Sequence, residues 1–291
     1  MVPITRICRV ARAKLNLALH VRGRRADGYH DLDSVFVHCA DGDEMWVEPA
    51  DGVSLTIAGP FAAGLSDGED NLVMRAARGV EQAFADSERA PWAPPGAAIT
   101  LVKNLPLASG IGGGSADAAM AIDLLVALWE LPDDLHRMQA IAAGLGADVP
   151  PCQFTWPKHV KGRGDDFVRL EDPAYHDWPV LLVNSGVALS TGQVFARWDG
   201  VDRGPLPDVP LFADVIASGR NDLEPAARAL APVIGEAIDL IAAQPGSIGA
   251  RMSGSGATCF ALFGSVAERD AAEAAVRAAR PEWWTLGTRL T

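Results

Sequence analysis

Four glycines within five positions, Gly110-Ile111-Gly112-Gly113-Gly114, stand between a strand pattern and a helix pattern, and they constrain the fold of this 291-residue chain more than any other feature. The full run reads Pro106-Leu107-Ala108-Ser109-Gly110-Ile111-Gly112-Gly113-Gly114-Ser115-Ala116-Asp-Ala-Ala119. Upstream, residues 98–105 alternate as a strand does. Downstream, Ala118, Ile122, Leu125 and Trp129 recur at the spacing of one helical face, and Ser115 is placed to cap that helix. Glycines let successive backbone N–H groups turn toward one anion, and a helix start adds unpaired amides and the positive end of its dipole. A strand, a glycine loop and a capped helix in this order therefore predict a polyphosphate cradle. A plain tight connection would need one or two glycines. A Walker loop needs a Lys after its last glycine, and none follows here; a dinucleotide fingerprint counted from Gly110 meets Ser115 where its final glycine belongs.

The remaining pattern mixes strands and helices. Residues 6–21 read as a strand, and 33–39 and 44–48 as two short strands separated by an Asp41-Gly42 turn. After Asn71, Leu72, Val73, Ala76, Val80 and Phe84 share one helical face, and a Pro-rich gap at 91–96 ends that helix. A second helix is expected over 133–143, with Asp148 in the turn marked by Gly144, Gly146 and Pro150. From 157 the chain reads as loop-rich. An apolar strand follows at 178–184, then a helix at 223–243, a strand at 257–263, a helix at 266–280 and a strand at 284–290. The class is α+β, with a domain break near 157 and no internal repeat.

Charge narrows the ligand. The chain carries a formal charge of −12, yet its first 25 residues hold seven cations, Arg6, Arg9, Arg12, Lys14, Arg22, Arg24 and Arg25, and no acid. A basic strip on an acidic body suits a small anionic ligand; nucleic acid would be repelled by most of the surface. Cys8, Cys39, Cys152 and Cys259 are too scattered for a zinc site or a disulfide framework, so they are expected to be reduced. Residues 178–196 are too polar to span a membrane, the Arg-bearing start lacks both a signal-peptide core and the Ser content of a transit peptide, and a cytoplasmic location is expected.

The loop resembles the P-x-x-x-G-[LI]-G-G-G-S-[SA]-[DN]-A-A signature of the GHMP kinases, small-molecule kinases named for galactose, homoserine, mevalonate and phosphomevalonate. Further motifs are similar, in order, to the 4-diphosphocytidyl-2-C-methyl-D-erythritol kinases of that superfamily: Ala11-Arg-Ala-Lys14-Leu-Asn16-Leu, Gly23-Arg-Arg-Ala-Asp27-Gly28-Tyr29-His30, Gly146-Ala-Asp148-Val-Pro150, Asn221-Asp222-Leu223-Glu224 and Met252-Ser-Gly-Ser-Gly-Ala257. They span residues 11–257. The resemblance implies a two-domain α+β GHMP kinase fold, with an N-terminal ATP-binding domain over 1–157, a C-terminal substrate-binding domain over 158–291 and a cleft between them. It implies ATP-dependent phosphorylation of the 2-hydroxyl of 4-diphosphocytidyl-methylerythritol, a step of the non-mevalonate isoprenoid route. Pro106, Leu107, Ala108, Ser109, Gly110, Ile111, Gly112, Gly113, Gly114, Ser115 and Ala116 would hold ATP. Asp148 would be the base and Lys14 the cation that orients it and steadies the transferring group. Asn16 would contact substrate near the reacting hydroxyl, and Tyr29 and His30 would hold the cytidine. Mg²⁺ would bridge ATP phosphates with Ser115 as a protein contact, and no metal site built from protein ligands alone is expected. The chain would act as a monomer or weak homodimer.

Taken alone, these residues have plainer readings. Asp148 reads as a turn or cap residue, Lys14 as a surface lysine sharing a strand face with Asn16, and Tyr29 as a hairpin-end aromatic. Ser253-Gly254-Ser255-Gly256 reads as a plain hairpin turn, where the resemblance implies support for substrate or phosphate placement. Ala116 stands where the family often has Ser, and Ser190-Thr191-Gly192 departs from a Pro-Thr-Pro-like segment. Two other functions stay open: another GHMP kinase, of homoserine or mevalonate type, against which the 23–30 segment argues, and a non-catalytic GHMP-fold sensor, in which Lys14 or Asp148 should have been lost.

Overall fold

The computed structural model describes residues 6–85 and 96–291, the side chains of 84 and 85 excepted. The chain gathers into two compact units that are not continuous in sequence. One comprises Met1–Ala13, Asp41–Leu107 and Gly113–Phe154; the other comprises Lys14–Ala40, Ala108–Gly112 and Thr155–Thr291. A single cut near 157 marks only the last of these crossings. Both units mix strands and helices, as the α+β class requires.

Strands β1 (Ile7–Arg24) and β2 (His30–Ala50) are long enough to serve both units. Residues 33–48 do not form two short strands: β2 runs unbroken through Asp41-Gly42. Gly42 is there for close approach, because a Cβ on it would stand 2.0 Å from the carbonyl oxygen of Ala11 on β1. A glycine demanded by packing had the look of a turn.

In the first unit, the later half of β2 pairs antiparallel with β4 (Gly96–Val102), Met45 opposite Leu101 and Val47 opposite Ile99, and β3 (Val53–Ala58) pairs parallel with β4. Helices α1 (Leu72–Ala85), α2 (Gly113–Leu128), α3 (Leu135–Leu145) and the single turn α4 (Val149–Cys152) complete it. Val73, Ala76 and Val80 of α1 are buried as their spacing predicts; Phe84 and the Pro-rich gap at 91–95 lie outside the described residues. Ala118, Ile122, Leu125 and Trp129 are buried, and so are Ala121 and Leu124, so α2 is apolar nearly all round. Each such branched side chain taken from water contributes about 1.5–3 kcal/mol.

The second unit carries the early half of β2 paired with β5 (Lys158–Gly162), which turns into β6 (Asp166–Arg169); the stretch expected as loop is a hairpin. It also carries β7 (Pro179–Asn184), α5 (Thr191–Ala196), α6 (Phe212–Ser218), α7 (Glu224–Leu230), α8 (Val233–Ala242), β8 (Ser247–Met252), β9 (Cys259–Phe263), α9 (Val266–Ala279) and β10 (Trp284–Arg289). Its four-stranded antiparallel sheet has the order β10-β7-β9-β8. Ala227, Ile234, Ile238 and Val276 from the helices pack with Leu181, Val183 and Phe263 of the sheet. The helix expected over 223–243 is two helices, because Pro232 has no N–H to continue α7 and instead stands at the start of α8. All four cysteines are free thiols, Cys39 and Cys259 in the core.

Candidate active site

The glycine loop begins where β4 ends. Ala108, Gly110 and Gly112 all take positive φ, of 47°, 77° and 67°. At Gly110 the requirement is also steric: a Cβ would lie 2.4 Å from the carbonyl oxygen of Ser253. Three successive carbonyls of the loop are fastened within the second unit. Ser109 O accepts from Thr258 N at 3.0 Å, Gly110 O from the Ser253 hydroxyl at 3.0 Å, and Ile111 O from Lys14 N at 2.9 Å. Carbonyls held this way leave the N–H edge of the loop for other partners. The Ser253-Gly254-Ser255-Gly256 segment is therefore more than a hairpin turn: it is a brace for the first glycine loop. Asn221 braces it in turn, donating to Met252 O and Gly254 O, both at 2.8 Å.

Helix α2 starts at Gly113, two residues before the expected start, so Ser115 lies inside the first turn and does not precede it. The first amides of a helix have no i−4 carbonyl to bind, and here they belong to Gly113, Gly114 and Ser115. Gly114 is exposed, and Ala116 is buried against the core of the unit.

Lys14 and Asn16 share a face of β1, but that face is not a surface. Lys14 is 4% exposed and Asn16 2%, while Ala13, Leu15 and Leu17 on the other face are also buried. Lys14 Nζ donates to Asn16 Oδ1 at 2.9 Å and stands 4.3 Å from the centre of the Phe36 ring. Asn16 Nδ2 donates to Ser34 Oγ at 2.8 Å, Ser34 Oγ donates to Ala18 O at 2.5 Å, and Asn16 N donates to Ser253 Oγ at 3.1 Å. A cation that has given up this much hydration is held in one geometry by neighbours with defined orientations.

Tyr29 and His30 sit at the other end of the same segment. The Asp27-Gly28 turn forms as expected: Gly28 has φ 88°, Tyr29 N donates to Asp27 Oδ1 at 3.1 Å, and Arg25 N donates to Tyr29 O at 2.8 Å. Tyr29 is 57% exposed, with the Arg163 guanidinium 5.6 Å from its ring centre. His30 is half-buried and packs on Phe195 of α5, ring centres 4.9 Å apart, with the edge of Trp198 at 5.7 Å. Burial, helped by Arg24, lowers the pKa of His30 and favours the neutral imidazole. Phe195 and Trp198 are contacts of His30 that sequence reading missed. The aromatic spacing in 194–198 was their only signal, and their partner lies more than 160 residues earlier. Beside them, the departing segment is tied down: Thr191 and Ser255 hydroxyls are 2.9 Å apart.

Asp148 belongs to the first unit, immediately before α4. It occupies the N-cap position with Pro in the first turn after it, yet its side chain makes no capping hydrogen bond to the helix. Of the plain readings, a turn or a cap residue, the carboxylate does not cap the helix, while the turn does form, with Val149 N donating to Gly146 O at 3.1 Å. Lys14, Asn16, Tyr29, His30 and residues 108–112 lie in the second unit; Asp148, Pro106, Leu107 and residues 113–116 lie in the first.

Among the described residues no three His, Cys, Asp or Glu side chains gather into a metal cage, and no helix is long and apolar enough to cross a membrane. The GHMP kinase N-terminal domain model matches residues 71–155, which include the glycine loop and Asp148, and the GHMP kinase C-terminal model matches 206–285, which include the bracing loop. A 4-diphosphocytidyl-2-C-methyl-D-erythritol kinase of Rhizorhabdus wittichii is 53% identical over 284 residues, covering 97% of this chain and 94% of that protein. The crystal structure of a 4-(cytidine 5'-diphospho)-2C-methyl-D-erythritol kinase superposes with a TM-score of 0.81 at 33% identity, over 98% of this chain and all of that one. A homoserine kinase from Cytophaga hutchinsonii shares the fold, with a TM-score of 0.69 at 18% identity over 98% of this chain and 94% of that one. With its glycine loop, its braced Lys14 and relatives matched along nearly the whole length, the chain belongs to the 4-diphosphocytidyl-2-C-methyl-D-erythritol kinase family of the GHMP kinases.

Proposed function

We propose that the protein transfers the γ-phosphoryl group of ATP to the 2-hydroxyl of 4-diphosphocytidyl-2-C-methyl-D-erythritol, giving the 2-phosphate and ADP in the non-mevalonate route to isopentenyl diphosphate. The observation that carries this is the 53% identity to a kinase of that name across 97% of the chain. Phosphoryl transfer depends mainly on positioning and on stabilising charge, with a base for the alcohol proton.

In this reading the Asp148 carboxylate accepts the proton of the 2-hydroxyl. The freed oxygen forms the new bond to the γ-phosphorus, the bond from that phosphorus to the β–γ bridging oxygen breaks, and ADP leaves with the electron pair. Lys14 Nζ, its direction fixed by Asn16 Oδ1, supplies positive charge to the transferring group. Asn16 then acts twice, on substrate and on Lys14. Residues 106–116 hold the ATP phosphates through the amides at the start of α2, where the loop carbonyls are already engaged. Tyr29 and His30 hold the cytidine, with Phe195 and Trp198 backing the imidazole. A neutral imidazole can donate from one nitrogen and accept at the other, which suits a base edge.

The donor set fits Mg²⁺ carried on phosphate oxygens, since this ion keeps waters and substrate ligands and needs few protein contacts. Ser115, in the first turn of α2, would be the protein contact, and the ion would supply charge that offsets that of the ATP phosphates. The ATP-binding role is assigned to the 1–157 stretch and the substrate-binding role to 158–291, joined on the substrate side by Asn16, Tyr29 and His30, which belong to the second unit, and the protein acts in the cytoplasm as a monomer or weak homodimer. A coupled ADP-release assay across substrates tests the reading: turnover with the cytidylyl substrate and none with homoserine or mevalonate is expected, and the reverse preference would overturn it.

A further inference from the structure

One buried charge cluster in the first unit has no part in the chemistry above. Lys103, the first residue after β4, is 2% exposed; Asp43 of β2 and Asp117 of α2 are exposed by 0% and 3%. Lys103 Nζ donates to Asp43 Oδ2 and, at 2.7 Å, to Asp117 Oδ2. Asp43 Oδ1 accepts from two consecutive amides, Asn104 N at 2.6 Å and Leu105 N at 2.9 Å. Asp117 Oδ1 is buried with no hydrogen-bond partner. The cluster also touches the start of α2: a Cβ on Gly113 would lie 3.4 Å from Lys103 Nζ and 3.5 Å from Asp43 Oδ2.

Two carboxylates around one ammonium are a poor way to gain stability. Desolvating three ionic groups offsets most of their attraction, and a well-packed apolar trio would serve the core as well or better. The electrostatics agree. Burial works against the Lys103 charge, but Asp117 and Asp43 outweigh it and hold its pKa above the usual lysine value. Burial also pushes the Asp117 carboxyl well above the usual carboxylate range, against the pull of Lys103.

What the cluster does achieve is geometric. Asp43 fixes the two amides at which the chain enters the glycine loop, Asp117 belongs to the helix by which it leaves, and Lys103 ties one to the other. The intervening residues contain three positive-φ positions in a row of alternates, Ala108, Gly110 and Gly112, which cannot hold the loop's ends by regular backbone hydrogen bonding. We propose that Asp43, Lys103 and Asp117 are positioning residues that set the entry and exit of the glycine loop, and through them the amides of Gly113, Gly114 and Ser115 that receive the nucleotide phosphates. This rests on the loop being the ATP site, and it deepens that reading by naming what keeps the site in register. Because phosphate binding by amides is steeply sensitive to placement, loss of the tie should weaken nucleotide binding far more than it weakens binding of the alcohol substrate.

The test uses the full chain and a non-hydrolysable ATP analogue with Mg²⁺, its dissociation constant measured by calorimetry, beside KM values for both substrates. Asp43→Asn keeps an acceptor for Asn104 N and Leu105 N but removes the charge that holds Lys103. It is expected to weaken the analogue about tenfold and raise KM for ATP, with KM for the cytidylyl substrate within twofold. Asp117→Asn, which keeps the shape, is expected to weaken the analogue about threefold. Ile99→Val, a trimmed core residue of the same unit, is the control for stability loss alone and should leave analogue affinity unchanged. Should Asp43→Asn fail to fold, Asp117→Asn decides on its own criterion. Affinity within twofold of wild type in the folded Asp variants, equal weakening by Ile99→Val, or equal changes in both KM values would overturn the positioning role. A wild-type chain that does not bind the analogue would instead overturn the ATP reading of the loop and the positioning role with it.

Discussion

The two ends of the segment from β1 into β2 are built to opposite specifications. At the Lys14 and Asn16 end every polar group sits in the core, and the hydrogen bonds run from Lys14 through Asn16 to Ser34 and Ser253. At the Tyr29 and His30 end the turn is exposed, held by local bonds and by ring contacts with Phe195 and Trp198. A rigid, dehydrated end suits a step in which charge must meet fixed dipoles, and an exposed aromatic end suits a base that has to enter and leave. Under the proposed function, the contrast teaches that the reacting group would be placed by the core and recognition left to a surface turn.

Substitutions should separate the two ends. The largest effect is expected at Lys14: Lys14→Met fills a similar volume without charge and should lower kcat by about 10²–10³-fold, with the melting temperature nearly unchanged, as single-turnover kinetics and thermal melting would register. A rise in KM with kcat unchanged would place Lys14 in binding and erase the contrast. Asn16→Ala comes next. It removes one acceptor from Lys14 and the donor to Ser34 Oγ, so kcat should fall about tenfold or more and the melting temperature by on the order of 5 °C, since each lost hydrogen bond to a buried polar group costs about 1–3 kcal/mol. At the exposed end, Tyr29→Ala should raise KM for the cytidylyl substrate about tenfold, the scale of one stacked base, with kcat and melting temperature preserved. A stability loss there as large as that of Asn16→Ala would show the turn to be structural.

The smallest effect concerns pH. The pKa of His30 is lowered by burial and by Arg24, so the folded chain resists protonating it. For binding, the imidazole stays neutral through the ordinary histidine range and titrates only below it. KM for the cytidylyl substrate should accordingly stay flat from pH 8 down to about 6.5, the unperturbed value, and rise at lower pH, and His30→Gln should remove that rise. For stability the sign is the same: the neutral form is favoured in the fold, so this group's contribution is full above the unfolded pKa and is lost as pH falls from there through the lower folded pKa. A KM that falls as pH is lowered from 8 would mean that His30 acts as a cation.

What could be read from the sequence divides along similar lines. The glycine loop, the Asp27-Gly28 turn and the apolar face of α1 are local, because turn chemistry and periodicity act over a few residues. Gly42 misled because a glycine needed for strand contact at Ala11 is written in the same letter as one needed for a turn. Lys14 and Asn16 looked like an outward strand face, since alternation cannot tell a strand covered on one side from one covered on both. Phe195 and Trp198 meet His30 only through ring contacts made more than 160 residues away in sequence, and the Asp43, Lys103 and Asp117 cluster joins residues 60 and 14 positions apart. Asp117 did carry a signal: it is an acid one turn into a helix that is apolar nearly all round, a position where an unpaired acid would be costly. Its partners were written elsewhere.

The central claim is the phosphorylation of one hydroxyl of one substrate, and mass spectrometry of the product tests it most directly. Incubation of the protein with ATP, Mg²⁺ and 4-diphosphocytidyl-2-C-methyl-D-erythritol should give a product heavier by one phosphoryl group, carried on the methylerythritol 2-oxygen in the fragment spectrum, and Asp148→Asn should give none while still binding ATP. Unchanged substrate with the wild-type protein, or full conversion by Asp148→Asn, would contradict it.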